Sequence, residues 1–407
     1  MARPSVVVVI DFTSGAIFGY PFILGQGVLG TNTLADPGSL TVDISNQVNK
    51  ISIRRGYNLL QEQFQAGTAT VRLIDQTGDW NPSNPSSIYA GKLVPLRKVR
   101  ISADEKNLYS GYTTAYNYTW DQEQNVGYVD IQLVDAFRLF NMANITTVTG
   151  ATPGETTGSR ITDILDTIGF PTSMRSIEAG STTVQADPGT SRTSLQAIQN
   201  MEFSEQGGFF IQPSGNAEFI SRSSVQSKSG QTPTFFSNDG TGISYRSLVT
   251  ALDDKLIINT TSITRAGGTP QVSTNTDSQI KYFPHSYTAT DLLVQTDAQA
   301  LDIARAYTAT RAETTLRVDS ITLDLNTADY AAGTAAALTI DFFDPIRVKN
   351  IGQDGSVIDK TLQCMGVTHE ITPSTWLTSF VTSEPIIDSF IIGSSSYGII
   401  GTSVMTY

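Results

Sequence analysis

Period-two alternation of apolar residues is the sequence feature that most constrains this fold. Residues 68–75 place apolar side chains on one face of an extended chain and polar ones on the other, as in a half-buried strand. A shorter alternating run at 51–53 precedes it, across a linker that includes Phe64. The polar segment 78–87 contains two prolines, which cannot donate to a strand ladder, so it predicts a loop. Trp80 is the large apolar residue of this loop, and we expect its ring to fix the loop to the surface beneath.

Similar runs divide the chain into two β-rich regions. Residues 40–145 predict a small barrel or sandwich, with strands at 40–44, 48–53, 68–75, 99–104, 108–118 and 126–134 and a closing helix at 135–143. Residues 241–385 predict a second barrel with a helical insertion and strands at 255–264, 317–325, 346–349, 357–365, 367–371 and 376–382. The predicted fold class is mainly β with α+β modules.

Residues 146–240 predict an α+β module between these two regions. Apolar residues recur at helical spacing over 161–168, and a hairpin follows at 208–221. Thr193 and Gln196 have the spacing of a capping box, which predicts the start of a second helix. Thr296 and Gln299 predict the start of the inserted helix of the second β region in the same way. The segment 223–234 is rich in Ser, Gln, Lys and Gly and is predicted to be a loop.

The two ends of the chain are apolar and nearly uncharged. Residues 1–39 predict a strand followed by an arm, and residues 386–407 a C-terminal arm whose one charged residue is Asp388. Such segments need to be covered. Either they lie on a neighbouring subunit, or they are edge strands packed on their own barrel. The candidate inter-subunit contacts are the large apolar side chains Phe22, Ile23, Leu24, Phe390, Ile391, Ile392, Ile399 and Ile400.

Catalytic and metal-binding patterns are scarce in this sequence. It has two histidines and one cysteine, which argues against a zinc site, a serine triad and an internal disulfide. Neither a phosphate-binding loop nor a nucleophile elbow occurs. The acidic pairs Asp253-Asp254 and Asp341 with Asp344 are interpreted as solvated turn residues, and Cys364 as a small buried apolar residue. We therefore expect a non-enzymatic protein without metal or cofactor.

The charge balance bears on partners and location. A formal net charge of −12 is unsuited to holding a nucleic-acid backbone, although acidic walls can surround DNA and repel it. The apolar run at residues 6–10 has five residues and ends at Asp11, which is too short for a signal peptide core. No stretch is long enough to span a membrane. We expect synthesis and assembly in a cytoplasm.

The segment 54–100 also carries a long pattern, RRG…F.AGTATV…D…NP.N.SS.Y.G…P…VR. It resembles the first barrel region of the tail-tip baseplate hub, or minor tail, proteins of long non-contractile-tailed bacteriophages. Residues 163–171, 193–222, 257–271 and 367–380 resemble later parts of that family. Within the pattern and its loop, the residues that we assign a structural role are Arg54, Arg55, Gly56, Phe64, Gly67, Trp80, Asn81, Pro82 and Tyr89.

This resemblance implies a tail-hub fold, in which two similar β-barrels are accompanied by small α/β domains. It implies a homotrimeric ring that presents six barrels to a sixfold tail tube, and so adapts one symmetry to the other. The implied partners are the distal tail protein, the C-terminus of the tape-measure protein, and tail fibre or spike proteins. The channel would open for genome ejection, and phage DNA would pass through without specific binding.

Two other functions fit the same sequence. A hexameric distal tail ring protein is also a β-rich tail component, and the number of subunits separates it from a hub. A β-rich carbohydrate-binding protein or depolymerase would use Trp80, Trp120 and the neighbouring tyrosines as sugar platforms. The lack of a signal peptide and of a paired-acid motif argues against this second alternative.

Overall fold

The structure is a computed structural model that describes residues 4–12, 40–58, 63–326 and 330–385. Its strands are β1 (Val6–Asp11), β2 (Thr41–Asp43), β3 (Val48–Asn58), β4 (Gln63–Asp75), β5 (Lys98–Ala103), β6 (Lys106–Asp121), β7 (Val126–Val134), β8 (Asn144–Ile145), β9 (Arg175–Ile177), β10 (Arg192–Thr193), β11 (Gly208–Ile211), β12 (Ala217–Ile220), β13 (Thr234–Ser237), β14 (Ser247–Ala251), β15 (Thr260–Arg265), β16 (Gln271–Thr274), β17 (Ser286–Leu292), β18 (Arg317–Asp324), β19 (Pro345–Ile351), β20 (Val357–Ile371) and β21 (Trp376–Ser383). Its helices are α1 (Phe137–Met142), α2 (Thr157–Thr167), α3 (Ser194–Glu205), α4 (Arg222–Ser229), α5 (Thr276–Tyr282), α6 (Asp297–Arg311) and α7 (Tyr330–Thr339).

Thirteen of the described strands form one continuous sheet. Its order is β14-β18-β21-β20-β3-β4-β7-β6-β5-β1-β2, and β19 pairs with β20 on one side and in parallel with β13 on the other. Apart from 255–264, the strands predicted for the two β regions therefore lie in one sheet, which is joined where β3 pairs with β20. The mainly β class with α+β modules is confirmed, while the division at residues 40, 146, 241 and 386 stays a prediction.

The alternation in the sequence determines the two faces of this sheet. Ile51, Ile53, Val71 and Leu73 are all 1% exposed or less and face the core. Arg72, between two of them on β4, is exposed and pairs with Asp130 of β7. Because side chains alternate across a strand, a slip of one residue would bury these charges, so the pattern fixes the register.

Within residues 146–240 the structure has helices α2 to α4 and a small three-stranded sheet of β9, β11 and β12. Helix α3 begins at a complete capping box in which Thr193 and Gln196 exchange hydrogen bonds, as predicted. Strands β11 and β12 form a hairpin that also pairs in parallel with β9. The phenylalanines of the hairpin are buried, so this module packs onto the same core as the large sheet.

The helical insertion of the second β region has a small core of its own. Strands β16, β15 and β17 form a three-stranded sheet, and α6 packs on it through Ala300, Ala304 and Tyr307. Helix α6 begins at the predicted capping box of Thr296 and Gln299. The sequence predicted this helix, but merged β15 with the residues before it and did not predict β16 or β17.

Several local predictions are wrong. Residues 223–229 of the predicted loop 223–234 belong to helix α4, whose N-terminus is capped because the Ser221 side chain accepts from the Ser224 N–H. Phe64 lies in β4 and not in a linker. Helices α5 and α7 were not predicted. Residues 357–371 form one strand with a bulge at Cys364 and Gly366, not two strands.

Candidate functional site at the junction of the sheet halves

The place where β3 runs between β4 and β20 requires a very close approach of two backbones. Gly56 of β3 lies opposite Gly366 of β20. A Cβ atom on Gly56 would lie 2.9 Å from the Gly366 Cα and 3.1 Å from the Met365 carbonyl oxygen. Both distances are shorter than van der Waals contact. Glycine at position 56 therefore allows the two halves of the sheet to join.

Arg55 connects three parts of the chain at this junction. Its residue is 7% exposed, and Nη1 donates to Asp341 Oδ1 at 3.1 Å. Its Nη2 donates to the carbonyl oxygen of Ile211 in β11 at 2.9 Å. The guanidinium also lies 4.7 Å from the centre of the Phe342 ring, in cation–π geometry. The Arg55 side chain of β3 thus binds both strand β11 and the segment between α7 and β19.

Phe64 fills the apolar part of the same junction. Its ring centre lies 4.8 Å from that of Phe342, 5.1 Å from that of Phe210 and 5.5 Å from that of Phe343. Tyr57 completes the cluster at 5.1 Å in an edge-on orientation. Such aromatic contacts each add free energy beyond area burial. The cluster joins strands β3 and β4 to the hairpin and to the residues after α7.

Gly67 lies at a second tight contact beside Arg55. Its N–H donates to Asp135 Oδ2 at 2.6 Å, and its carbonyl oxygen accepts from the Tyr109 hydroxyl at 2.9 Å. Burial raises the pKa of Asp135 to about 7, against the N–H groups of Gly67 and Phe137, which lower it. A Cβ atom on Gly67 would lie 2.8 Å from Asp135 Oδ2. Only glycine leaves room for this buried carboxyl.

The loop after β4 forms a separate cluster with the N-terminal strand. Trp80 is fully buried, as predicted, and its Nε1–H donates to Gln47 Oε1 at 2.6 Å. Its ring packs against those of Phe12 and Tyr89, at 6.0 and 4.8 Å between centres. Asp75 holds the start of the loop, because its carboxylate accepts from three successive N–H groups, 78–80. Asp75 belongs to the family pattern found in the sequence, but the sequence did not predict this role for it.

The structure does not bring all the predicted motif residues together. Arg55, Gly56, Phe64 and Gly67 meet at the junction, whereas Trp80 and Tyr89 belong to the loop cluster. The remaining three, Arg54, Asn81 and Pro82, are partly or fully exposed. The candidate arm residues Phe22, Ile23, Leu24, Phe390, Ile391, Ile392, Ile399 and Ile400 lie outside the described residues.

Two interpretations of polar and aromatic residues are corrected. Asp341 and Asp344 flank a turn, as interpreted, but their partly exposed carboxylates are not merely solvated, since they pair with Arg55 and Lys228 respectively. The spacing of the two acids in the sequence does not reveal these ion pairs, because the cationic partners are distant in the chain. Trp80 has no exposed ring face for a sugar, whereas Trp120 is 48% exposed.

The titratable side chains of His369 and Cys364 are buried in the large sheet. Burial lowers the pKa of His369 to about 3, so its ring is neutral, with Nδ1 3.0 Å from the Thr378 hydroxyl. Cys364 is buried, as predicted, and burial raises the pKa of its thiol. Within the described residues there is no group of three His, Cys, Asp or Glu that could hold a metal ion. A search of the described helices also finds none long and apolar enough to cross a membrane.

Comparison with solved structures identifies the architecture. The tail protein from Neisseria meningitidis MC58 is similar over 95% of this chain and 98% of its own, with a TM-score of 0.58 and 11% identity. The 43 kDa tail protein of prophage MuSo2 from Shewanella oneidensis is similar over 94% and 97%, with a TM-score of 0.58 and 10% identity. The chain has the fold of phage tail proteins. The resemblance predicted from the sequence is confirmed at this level.

The comparisons of sequence give no match. No protein family profile fits the chain, and no curated protein is similar to it at a significant level. At about one identical residue in ten, the common feature is the fold. Residues such as Arg55 and Gly56 are therefore interpreted from their own contacts.

Proposed function

We propose that this protein is a structural component of a phage tail, and that three copies form the hub ring at the tail tip. The observation that carries this proposal is the likeness to two phage tail proteins over nearly the full length of both chains. The motif residues support it, because Arg55, Gly56, Phe64 and Gly67 join parts of the fold and form no reaction centre. A non-enzymatic role fits this arrangement.

The joined sheet suits the subunit of a ring. The two β-rich halves are hydrogen-bonded through β3 and β20 into one continuous sheet, unlike barrels on a flexible linker. In a threefold ring these two halves would contribute six β units to the sixfold tube, which is the symmetry adaptation that we propose. The proposed neighbours are the distal tail protein, the tape-measure C-terminus, and fibre or spike proteins.

The ring would close the tail tube until its channel opens for genome ejection. A formal charge of −12 per chain gives a trimer a strongly negative field. We propose that DNA passes through without specific binding for this reason. The N-terminal arm within residues 1–39 and the C-terminal arm at 386–407 are proposed to clasp neighbouring copies. The proposed location is the tail tip of the virion, after synthesis and assembly in the host cytoplasm.

Gold-labelled antibody against the purified protein, applied to intact particles of the phage that encodes it, tests the location. We expect label at the tip of the tail, and no label after the antibody has been adsorbed with purified protein. Label along the tube, or particles that lack the protein, would refute the proposal. Binding of purified protein to cell-wall glycans, together with absence from particles, would favour the carbohydrate-binding alternative.

A further inference from the structure

The large sheet contains the same arrangement of four strands twice. Strands β3, β4, β6 and β7 lie side by side in the order β3-β4-β7-β6, and β14, β18, β20 and β21 lie in the order β14-β18-β21-β20. All neighbouring pairs within both sets are antiparallel. Strand β6 therefore corresponds to β20, and β14 corresponds to β3.

Local irregularities of the backbone support the correspondence of β6 with β20. Each strand has a β-bulge in its ladder with the strand that follows it, and the bulge begins at Thr113 in β6 and at Cys364 in β20. The carbonyl oxygen of Thr113 accepts from the Leu96 N–H at 2.7 Å, and that of Cys364 accepts from the N–H of Phe343 at the same distance. Leu96 and Phe343 both have a φ of 64°, which is uncommon for residues other than glycine. Thr113 and Cys364 thus occupy the same position of the repeated unit.

The two corresponding strands differ in what lies beside them beyond the bulge. Residues 366–371 of β20 pair with β3. Residues 115–120 of β6 pair with β7 on one side and with no described strand on the other, because β5 pairs with the part of β6 before the bulge. Strand β14 likewise pairs with β18 alone among the described strands. The repeat therefore has two open edges, which are the counterparts of the two edges that meet where β20 pairs with β3.

Both open edges lack the charges that usually protect an exposed strand. Residues 113–120 read TTAYNYTW and residues 247–252 read SLVTAL, with no charged residue in either. Trp120, Val249 and Leu252 are 48%, 49% and 66% exposed. Native proteins protect exposed edge strands with charges and prolines, because free backbone groups at an edge pair readily with another chain. These two edges are therefore suited to pairing with a further strand.

The repeat also determines the register of such a pairing. Counted from the two bulges, Trp120 corresponds to Ile371. The same count aligns two rows of facing residues across the sheet, which are Tyr116, Ile131, Val71 and Ile51 in one half and Val367, Phe380, Ile321 and Leu248 in the other. Leu248 therefore corresponds to Ile51. Since Ile371 lies opposite Ile51 at the internal junction, Trp120 would lie opposite Leu248.

We propose that β6 of one copy pairs antiparallel with β14 of the next copy, with Trp120 opposite Leu248, and so repeats the internal junction between copies. A contact between two different edges is a head-to-tail contact, and such contacts form a closed ring when the rotation closes. Each copy then contributes eight strands to a continuous sheet around the ring. The number of copies in this ring rests on the hub function proposed above, whereas the pairing of the two edges is tested separately from that number.

Disulfide trapping in the full-length protein tests the pairing. In the proposed register Thr119 lies opposite Val249, and both residues are exposed in the single chain. Oxidation of concentrated protein that carries Thr119→Cys and Val249→Cys should link copies into a ladder that ends at three chains on a non-reducing gel. Ser52→Cys with Glu370→Cys is the positive control, because these residues are the corresponding pair at the internal junction. It should give a disulfide within one chain.

The negative control places the first cysteine beyond the end of β6. Glu123→Cys, in the exposed turn that follows, replaces Thr119→Cys and should give no link to Val249→Cys. Cys364 is buried and remains unmodified. A ladder that ends at six chains would support the pairing and refute the trimeric hub. The pairing is overturned if the internal control forms its disulfide while the Thr119 and Val249 variant gives no link between chains, or if Thr119→Cys alone links chains equally well.

Discussion

Replacement of Arg55 by methionine should weaken the junction of the three parts of the chain. Methionine keeps an unbranched apolar side chain in the place of the arginine stem, but removes the guanidinium. The change leaves Asp341 without its cation and the Ile211 carbonyl oxygen without this donor, and it removes the cation–π contact with Phe342. The expected result is a substantial loss of stability, because these groups are wholly or partly buried.

The magnitude follows from the burial of the two charges. Removal of one partner from a buried ion pair costs about 3–5 kcal/mol, and loss of a donor to a buried carbonyl about 1–3 kcal/mol. The side chain of Asp341 is 29% exposed, so water compensates for part of the first cost. We therefore expect a decrease of about 2–4 kcal/mol in the free energy of unfolding.

Urea denaturation followed by circular dichroism measures this decrease, and the chain offers a matched control. Arg72 and Asp130 form an ion pair with distances of 2.8 Å, but Arg72 is 48% exposed. Arg72→Met should cost no more than ~1 kcal/mol, as is usual for surface pairs. If Arg55→Met lowers the free energy of unfolding by no more than Arg72→Met does, the contacts of Arg55 do not stabilise the junction. A double-mutant cycle with Asp341→Asn then isolates the pair.

Three further changes test other contacts. Gly67→Ala should cost about 2 kcal/mol, since its Cβ would lie 2.8 Å from Asp135 Oδ2. Trp80→Phe should cost about 1–2 kcal/mol through loss of the 2.6 Å bond to Gln47. The pKa of Glu202 is raised to about 8, so only the folded state keeps this proton between roughly pH 5 and 8. Stability should therefore fall as pH rises through this window, by up to ~1.4 kcal/mol per pH unit, and Glu202→Gln should remove this part of the slope.

Urea denaturation measures the stability of all three variants, and each has a control variant in the same chain. Gly230→Ala meets no atom closer than 3.5 Å and should change stability by no more than ~0.5 kcal/mol. The same is expected for Trp120→Phe, whose ring is 48% exposed. Glu123→Gln, in an exposed turn, should leave the pH slope unaltered. Equal effects of a variant and its control, or an unchanged slope for Glu202→Gln, would contradict the corresponding contact.

The sequence predicted best those features that depend on residues close together in the chain. Strand β7 was predicted with its observed ends, because alternation over nine residues is a local signal. The capping boxes at Thr193 and Thr296 were found because they need two residues three positions apart. Trp80 was correctly placed against the core, since a large ring in a polar loop needs an apolar partner.

The remaining features depend on contacts between distant parts of the chain. The joining of both sheet halves rests on pairs such as Gly56 with Gly366, which no local pattern reveals. Helix α4 has a polar sequence, and its Lys228 binds Asp344 and the Phe342 carbonyl more than 100 residues away. Glu202 lies in the helix whose start the Thr193 capping box predicts, but its burial follows from packing of α3 against β4 and β11, which no local pattern reveals.

The number of copies around the tail axis tests the central proposal most directly. It can be counted in cryo-electron microscopy averages of the tail tip, computed without imposed symmetry and fitted with this fold. The hub proposal predicts three copies, with the two halves of each sheet alternating around the channel. Six equivalent copies would contradict it and would assign the chain to the distal tail ring.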